Sequence, residues 1–318
     1  MKGLYDIIED FKDKKVLVIG DLMLDKFIFG DVNRISAEAP VQVVKVEKID
    51  HSPGGAGNTA NNITSLGGKA YITGVIGNDE EGEVLLSEFK KRNIDVEGII
   101  KDNSRPTTQK TRVMGMSQHL IRFDHEKDHY IEKTLEYKII DYLQDNIKLI
   151  DCVIVSDYIK GTITEKIAKS LIYLVNNNEK NILVDTKPKH SKYYKDITLL
   201  KPNLKEAIEM TGEQELIKIG YKLKDQFNAN ILITRGKEGM SLFFKEGKYL
   251  DIAADTRDVF DVGGAGDTVI ATAGLALCAK ASLEDAAYLA NIAASIVVSK
   301  IGIVPITLEE IKYKLENK

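Results

Sequence analysis

"KVLVIGD", residues 15–21, is an unbroken apolar run that ends on an acid. The design recurs in "DCVIVSD" (151–157), "NILVDTK" (181–187) and "NILITRG" (230–236), and "KAYITGVIG" (69–77) is close to it. Runs this short and this rich in Val and Ile read as strands; their lack of polar alternation reads as burial on both faces. Segments that can be helical separate them, such as "DEEGEVLLSEFKKRNI" (79–94). Strands alternating with helices predict βαβ units and an α/β fold: a doubly wound, mostly parallel sheet with helices on both faces. In such sheets ligands bind beyond the carboxyl ends of the strands. Asp21, Asp157, Asp185 and the "TRG" at 234–236 all stand at such ends.

Two stretches break the alternation, "FIFGDVNRISAEAPVQVVKVEKI" (27–49) and "TTQKTRVMGMSQHLIRFDHE" (107–126). Both are strand-like with no helix inside. They predict a small antiparallel β lid projecting from the main sheet, with an apolar face that needs cover from the site or from a second copy. No repeat, low-complexity tract or linker divides the rest, so 1–318 is expected to be a single domain.

The 318 residues are 43% hydrophobic and 29% charged, with a formal net charge of −4. That balance suits an ordinary globular core and argues against a nucleic-acid binder, which needs a basic face. The N-terminal "MKGLYDIIEDFKDKK" is too charged for a signal peptide, and no apolar run has membrane-spanning length. With Cys152 and Cys278 read as buried thiols, the expected location is cytoplasmic, with no membrane partner. His119, His125 and His129 lack a fourth ligand at matching spacing and read as polar lid positions rather than a zinc site.

Chemistry concentrates in "DVFDVGGAGDTVIATAGLALC" (258–278). Gly263, Gly264 and Gly266 lead into an apolar helical run, and glycine-rich backbone at a helix N-terminus is an anion cradle. Walker-type loops follow such glycines with Lys; here that place is taken by Asp267. A lone Gly-Asp pair reads as a turn and cap. With Asp261 six residues earlier, the stretch instead pairs a proton acceptor with a phosphate nest. Phosphoryl transfer to a hydroxyl requires that pairing.

"DVGGAGDTV" (261–269) resembles the C-terminal signature D-[TSV]-x-G-A-G-D of the ribokinase/PfkB carbohydrate kinases. "SPGGAGNTANNITSLGG" (52–68) is similar to that family's sugar-binding segment. "GDLMLD" (20–25), "KPNLKEA" (201–207), "TRGKEGM" (234–240) and a helix bearing Asn291 follow in the family's order, so the likeness spans essentially the whole chain. Gly263 departs from it, standing where the family generally has Thr or Ser. The stretches 20–47, 107–126 and "SDYIKG" (156–161) are similar to the kinase half of bacterial heptose-7-phosphate kinases.

The resemblance implies a ribokinase-like kinase using ATP and Mg²⁺, with Asp267 as general base and the backbone of Gly264, Ala265 and Gly266 as anion hole. Asp21, Asp25, Gly54, Gly55 and Asn58 are then expected to hold sugar hydroxyls; the plain alternative for the two acids is ordinary loop residues. Asn203 and Glu206 are expected to organise magnesium through water, and the phosphates, although the pair could equally be a capping box. Thr234, Arg235, Gly236, Gly239 and Asn291 are expected around the nucleotide. Asp261 matches a position that helps bind potassium in some relatives, with no polar match near 300–306. The implied reaction is phosphorylation of D-glycero-β-D-manno-heptose 7-phosphate at C1, towards nucleotide-activated heptose. Arg34, Arg112, Arg122, Lys160 and Lys187 are candidates for the remote phosphate, with Arg34 or Arg112 favoured for the planar fork. The alternative is that the arginines pair with lid acids such as Asp31 and Asp124. Another family sugar (ribose, fructose, ketodeoxygluconate) or a silent sugar-nucleotide sensor are the competing functions. Many heptose kinases are fused to an adenylyltransferase with an H-x-G-H motif. None occurs here, so this chain is expected to hold the kinase half only, with a separate adenylyltransferase as a candidate downstream partner, and the lids predict a homodimer.

Overall fold

A computed structural model describes residues 3–115, 118–255, 259, 261–300, 302 and 304–317. The chain runs α1 (Leu4–Glu9), β1 (Lys15–Gly20), β2 (Leu22–Ile35), β3 (Gln42–Gly55), α2 (Ala56–Ser65), β4 (Lys69–Gly77), α3 (Glu80–Lys91) and β5 (Asp95–Asp102). It continues through β6 (Thr108–Gly115), β7 (Gln118–His125), α4 (Lys133–Asn146), β8 (Cys152–Asp157), α5 (Glu165–Asn177), β9 (Asn181–Thr186) and α6 (Pro188–Ser191). It then passes through β10 (Leu199–Leu200), α7 (Leu204–Thr211), α8 (Leu216–Phe227), β11 (Asn230–Thr234), β12 (Met240–Phe243) and β13 (Tyr249–Ile252). It closes with α9 (Ala265–Cys278), α10 (Leu283–Val297) and α11 (Leu308–Glu316).

The main sheet has the order β13-β12-β11-β10-β9-β8-β1-β4-β5. Strands β11 to β5 across this order pair in parallel, and β12 and β13 add an antiparallel edge. The alternation along β1 shows why the apolar runs are unbroken. Val16 and Val18 pack with α2, α9 and α10 on one face; Leu17 and Ile19 pack with α4, α5 and α8 on the other. Two separate cores therefore sandwich the sheet, as a doubly wound fold requires. Each buried Val or Ile stabilises this by about 1.5–3 kcal/mol. Cys152 and Cys278 are both free thiols, the first buried under α9 and the second half-buried at that helix's end.

The second sheet has the order β3-β2-β6-β7. Its two outer pairings are antiparallel and its central one, β2 with β6, is parallel. The parallel pair follows from the path: β2 leaves the carboxyl end of β1, and β6 leaves that of β5, so both run outward from one edge. Pairing also reaches deeper than the 27–49 and 107–126 expected, beginning at Leu22 with Gly55, where Leu22, Met23 and Leu24 are buried. Register puts Asp25, Phe27, Lys110, Arg112, Arg122 and Asp124 on one face and Ile28, Ile49, Val113, Ile121 and Phe123 on the other. Among the described residues no helix is long and apolar enough to cross a membrane.

Candidate functional site

Strand order reverses direction between β1 and β8, and the site opens beyond their carboxyl ends. Asp21, the residue after β1, binds the crossing together. Its Oδ2 accepts the backbone N–H groups of Tyr158 (2.8 Å) and Lys160 (3.0 Å), and its Oδ1 that of Thr162 (3.1 Å). Its own carbonyl accepts from Ala56 N–H at the start of α2. Burial, and then the neighbouring Asp157, raise its pKa despite the three donors. Through these bonds Asp21 ties the loop after β8 to the end of β1 and the start of α2.

The junction of β3 and α2 has no loop at all. Gly55 takes φ +56°, and a Cβ there would press on the Asp21 carbonyl at 2.6 Å. Only glycine makes that turn without strain. Asn58 thereby comes up beneath α9 and donates to Asp267 Oδ2 (2.8 Å). One turn further, Asn62 Oδ1 accepts from Thr268 (3.1 Å), so the two helices are stitched residue by residue. Asn58 therefore braces the expected base.

Asp267 lies in the first turn of α9 and is buried. Gly264 caps the helix in the left-handed conformation (φ +77°). The N–H of Ala265 leans on the Val262 carbonyl at 3.3 Å. That leaves Gly266 and Asp267 to present first-turn donors that have no carbonyl within the helix. Of the three residues expected to form the anion hole, Ala265 is thus partly committed. Asp261 accepts from Gly263 N–H (2.8 Å) and Gly302 N–H (3.2 Å), which ties the nest to the chain after α10. Around the carboxylate, Tyr158 OH donates to Oδ1 (2.9 Å) and Thr59 more weakly to the same atom (3.3 Å). Burial, opposed by the Asn58 bond, pushes the Asp267 pKa up to about 6, near the range a general base needs.

From Tyr158 and Gly266, beside Asp267, a cleft of about 460 Å³ runs along the ends of β9, β10 and β11. Tyr158, Lys187, Asn203, Glu206, Thr234, Gly236, Gly239 and Asn291 line it, together with apolar Val262, Val269 and Val298. The capping box is real: Asn203 Oδ1 accepts from Glu206 N–H (2.9 Å) and Glu206 Oε2 from Asn203 N–H (3.0 Å). The other Glu206 oxygen takes Lys187 Nζ at 2.6 Å. Asn291 donates to the Ala253 carbonyl (2.8 Å) and so fixes the far wall. Arg235 is not brought to the cleft; it pairs across the antiparallel edge with Asp251 and with Glu238.

The lid roofs the Asp267 end. Asp25 is buried and paired with Arg112, whose guanidinium also lies 5.2 Å from the Phe27 ring centroid. Burial lifts the Asp25 carboxyl above its ordinary range although Arg112 pulls the other way. A Cβ at Gly54 would collide with Asp25 Oδ2, so glycine at 54 makes room for that carboxylate. Behind Arg112, Arg122 grips Asp124 through two bonds of 2.9 and 2.7 Å. Lys110 reaches Asp124 at 3.0 Å, and Lys160 pairs with Glu126. Arg34 is exposed nine residues beyond Asp25 on β2, about 30 Å away along the strand. Sequence reasoning assigned no role to Tyr158, Lys201 or Thr59; the strand end at Asp157 pointed to the first, and Lys201 stood only inside the "KPNLKEA" stretch.

A profile of the "pfkB family carbohydrate kinase" matches residues 13–309. The "Bifunctional protein HldE" of Desulfatibacillum aliphaticivorans is 41% identical over 314 residues, 97% of this chain and 64% of that protein. The protein of the same name from Geobacter sulfurreducens is 42% identical over 301 residues, 93% of this chain and 61% of its own length. The chain thus spans less than two thirds of these relatives. Among solved structures, Escherichia coli phosphofructokinase-2 in complex with potassium superposes with a TM-score of 0.77 at 17% identity, covering 96% of this chain and 99% of that one. Arabidopsis thaliana ribokinase complexed with ribose and ATP gives 0.71 at 18%, with the same coverage. Both share the ribokinase-like arrangement of a large sheet and a small lid sheet. Profile, fold and order of motifs agree over the same residues: the chain belongs to the pfkB family of carbohydrate kinases.

Proposed function

We propose that this carbohydrate kinase transfers the γ-phosphoryl group of ATP to the C1 hydroxyl of D-glycero-β-D-manno-heptose 7-phosphate, giving the 1,7-bisphosphate. Asp267 takes the hydroxyl proton as the new sugar O–P bond forms and the bond from Pγ to the ADP oxygen breaks. The Gly266 and Asp267 N–H groups and the dipole of α9 face the charge on the phosphoryl oxygens. Tyr158 orients the base through Oδ1.

The observation that carries the choice of sugar is the lid's charged face. Arg112 is ion-paired with Asp25, and Lys110, Arg122 and Lys160 with Asp124 and Glu126, a cluster of cations suited to an anionic tail. A plain hexose or pentose needs none of these cations. Arg112 is the favoured contact; Arg34 is too distant within one chain, and Lys187 belongs to the nucleotide end.

Magnesium suits the donor set. It prefers one or two carboxylates with waters and substrate phosphates over an all-protein cage. Glu206 supplies a carboxylate to the cleft, and among the described residues no three such ligands converge. When bound, the ion would neutralise charge on the nucleotide phosphates. The longer HldE relatives fit a pathway in which an adenylyltransferase follows, fused or separate.

The test is sugar-dependent ADP release with the 7-phosphorylated heptose, the same heptose without phosphate, ribose, fructose and ketodeoxygluconate. Strong preference for the phosphorylated heptose is expected. Comparable turnover on the dephosphorylated sugar would remove the assignment and leave a general sugar kinase.

A further inference from the structure

The nest at the start of α9 lacks the lysine that glycine-rich phosphate loops ordinarily place after their glycines; Asp267 occupies that place. An ammonium nevertheless reaches the nest from elsewhere. Lys201, immediately after β10, is 4% exposed at its side chain, and its Nζ lies 3.2 Å from where a Cβ on Gly266 would stand. Its ion partner is Asp185 near the end of β9, at 2.9 Å, and both residues line the cleft beside Tyr158 and Gly266. The other lysine at this end, Lys187, is more exposed and already bonded to Glu206.

We propose that Lys201 is a catalytic residue that contacts the transferring phosphoryl group, supplying from β10 the positive charge that the nest's own sequence omits. Asp185 holds the ammonium against the nest. A buried lysine needs a partner whatever its task, so the pair alone would be unremarkable structurally. Position separates the two readings. Lys201 Nζ faces Gly266 in the first turn of the helix that carries the base, and a phosphoryl group held by that turn would meet the ammonium while in line with the acceptor oxygen. Charge on the phosphoryl oxygens is then met by backbone donors from one side and an ammonium from the other, while Asp267 keeps its proton-accepting role. The inference rests on the nest being the phosphoryl site of the proposed reaction.

The experiment uses the full chain carrying Lys201→Met, and a second variant, Lys201→Met with Asp185→Asn, which removes the lone buried charge that could unfold the first. ATP and ADP affinities are measured by titration calorimetry without sugar, alongside kcat and KM for the sugar. Expected are a kcat about 10²–10³-fold lower in both variants, a sugar KM changed less than threefold, unchanged ADP affinity, and loss of any preference for ATP over ADP. Recovery of unmodified turnover in the double variant would overturn the proposal, because neutralising Asp185 would then be the whole role. Equal weakening of ATP and ADP would overturn it too. The nucleotide comparison needs no sugar, so a wrong choice of substrate cannot be mistaken for failure of Lys201.

Discussion

Asp267 is ionised at neutral pH against its surroundings, and the sign of that cost is testable. Burial raises its pKa from the ordinary 3.8 to about 6. Between those values the folded protein holds more protons at this site than the unfolded chain, so stability falls as pH rises through the window. Above pH 6 the loss is complete, at about 3 kcal/mol for such a gap. Asp267→Asn is therefore expected to raise stability at pH 7 by up to about that amount and to bring no gain at pH 4, as read from denaturant midpoints at both values. The same variant should lose about 10³-fold in kcat while binding nucleotide normally, since Asn keeps the shape and cannot take the proton. In the unmodified enzyme the acid limb of kcat/KM should fall near pH 6. Tyr158→Phe removes a donor that favours the carboxylate, so that limb should move to higher pH. A limb that stays put would mean that Tyr158 does not act through Asp267.

At the scale of elements, the loop-free passage from β3 into α2 sets the sugar end of the site. Gly54→Ala would drive a methyl into Asp25 Oδ2 and displace the carboxylate from Arg112. The expected result is a sugar KM raised at least tenfold with nucleotide affinity unchanged; equal loss of both would show a general collapse instead. Arg112→Ala should weaken the phosphorylated sugar strongly and its dephosphorylated form hardly at all. These elements were partly legible beforehand. Unbroken Val-Ile runs ending in polar residues identify β1, β8, β9 and β11, because two-sided burial leaves no place for alternation. Asn203 and Glu206 could be seen as a pair because a capping box is local. The contacts that define the base could not: Asn58 and Tyr158 meet Asp267 across 209 and 109 residues of chain. Arg235 was misleading for a related reason. Its motif lies beside the cleft, but the antiparallel edge strand offers Asp251, and a charged partner on a neighbouring strand decides where the guanidinium goes. Arg34 looked equivalent to Arg112 until the length of β2 separated them.

At the scale of the whole molecule, the lid presents an uncovered apolar face. On the lid face opposite Arg112, Ile49, Ile121 and Phe123 are 47%, 59% and 51% exposed, and Ile28 and Val113 lie between them in register. The main sheet cannot reach this face, because its carboxyl edge already meets the charged side of the lid. A contiguous apolar patch on a four-stranded sheet marks an interface, and a second copy presents a patch of the same size, shape and character. Two-fold pairing of the lids would bury both at once and leave the charged faces turned inward to the two sites. The expected outcome is a dimer at micromolar concentration by light scattering. Ile121→Asp with Phe123→Asp should yield monomers, since each charge would have to be buried unpaired. Because the lid is also the wall of the sugar site, those monomers should keep nucleotide affinity and lose sugar affinity. A monomeric unmodified protein, or monomeric variants with undiminished sugar binding, would show that the lid is held in place by its own strand pairing alone.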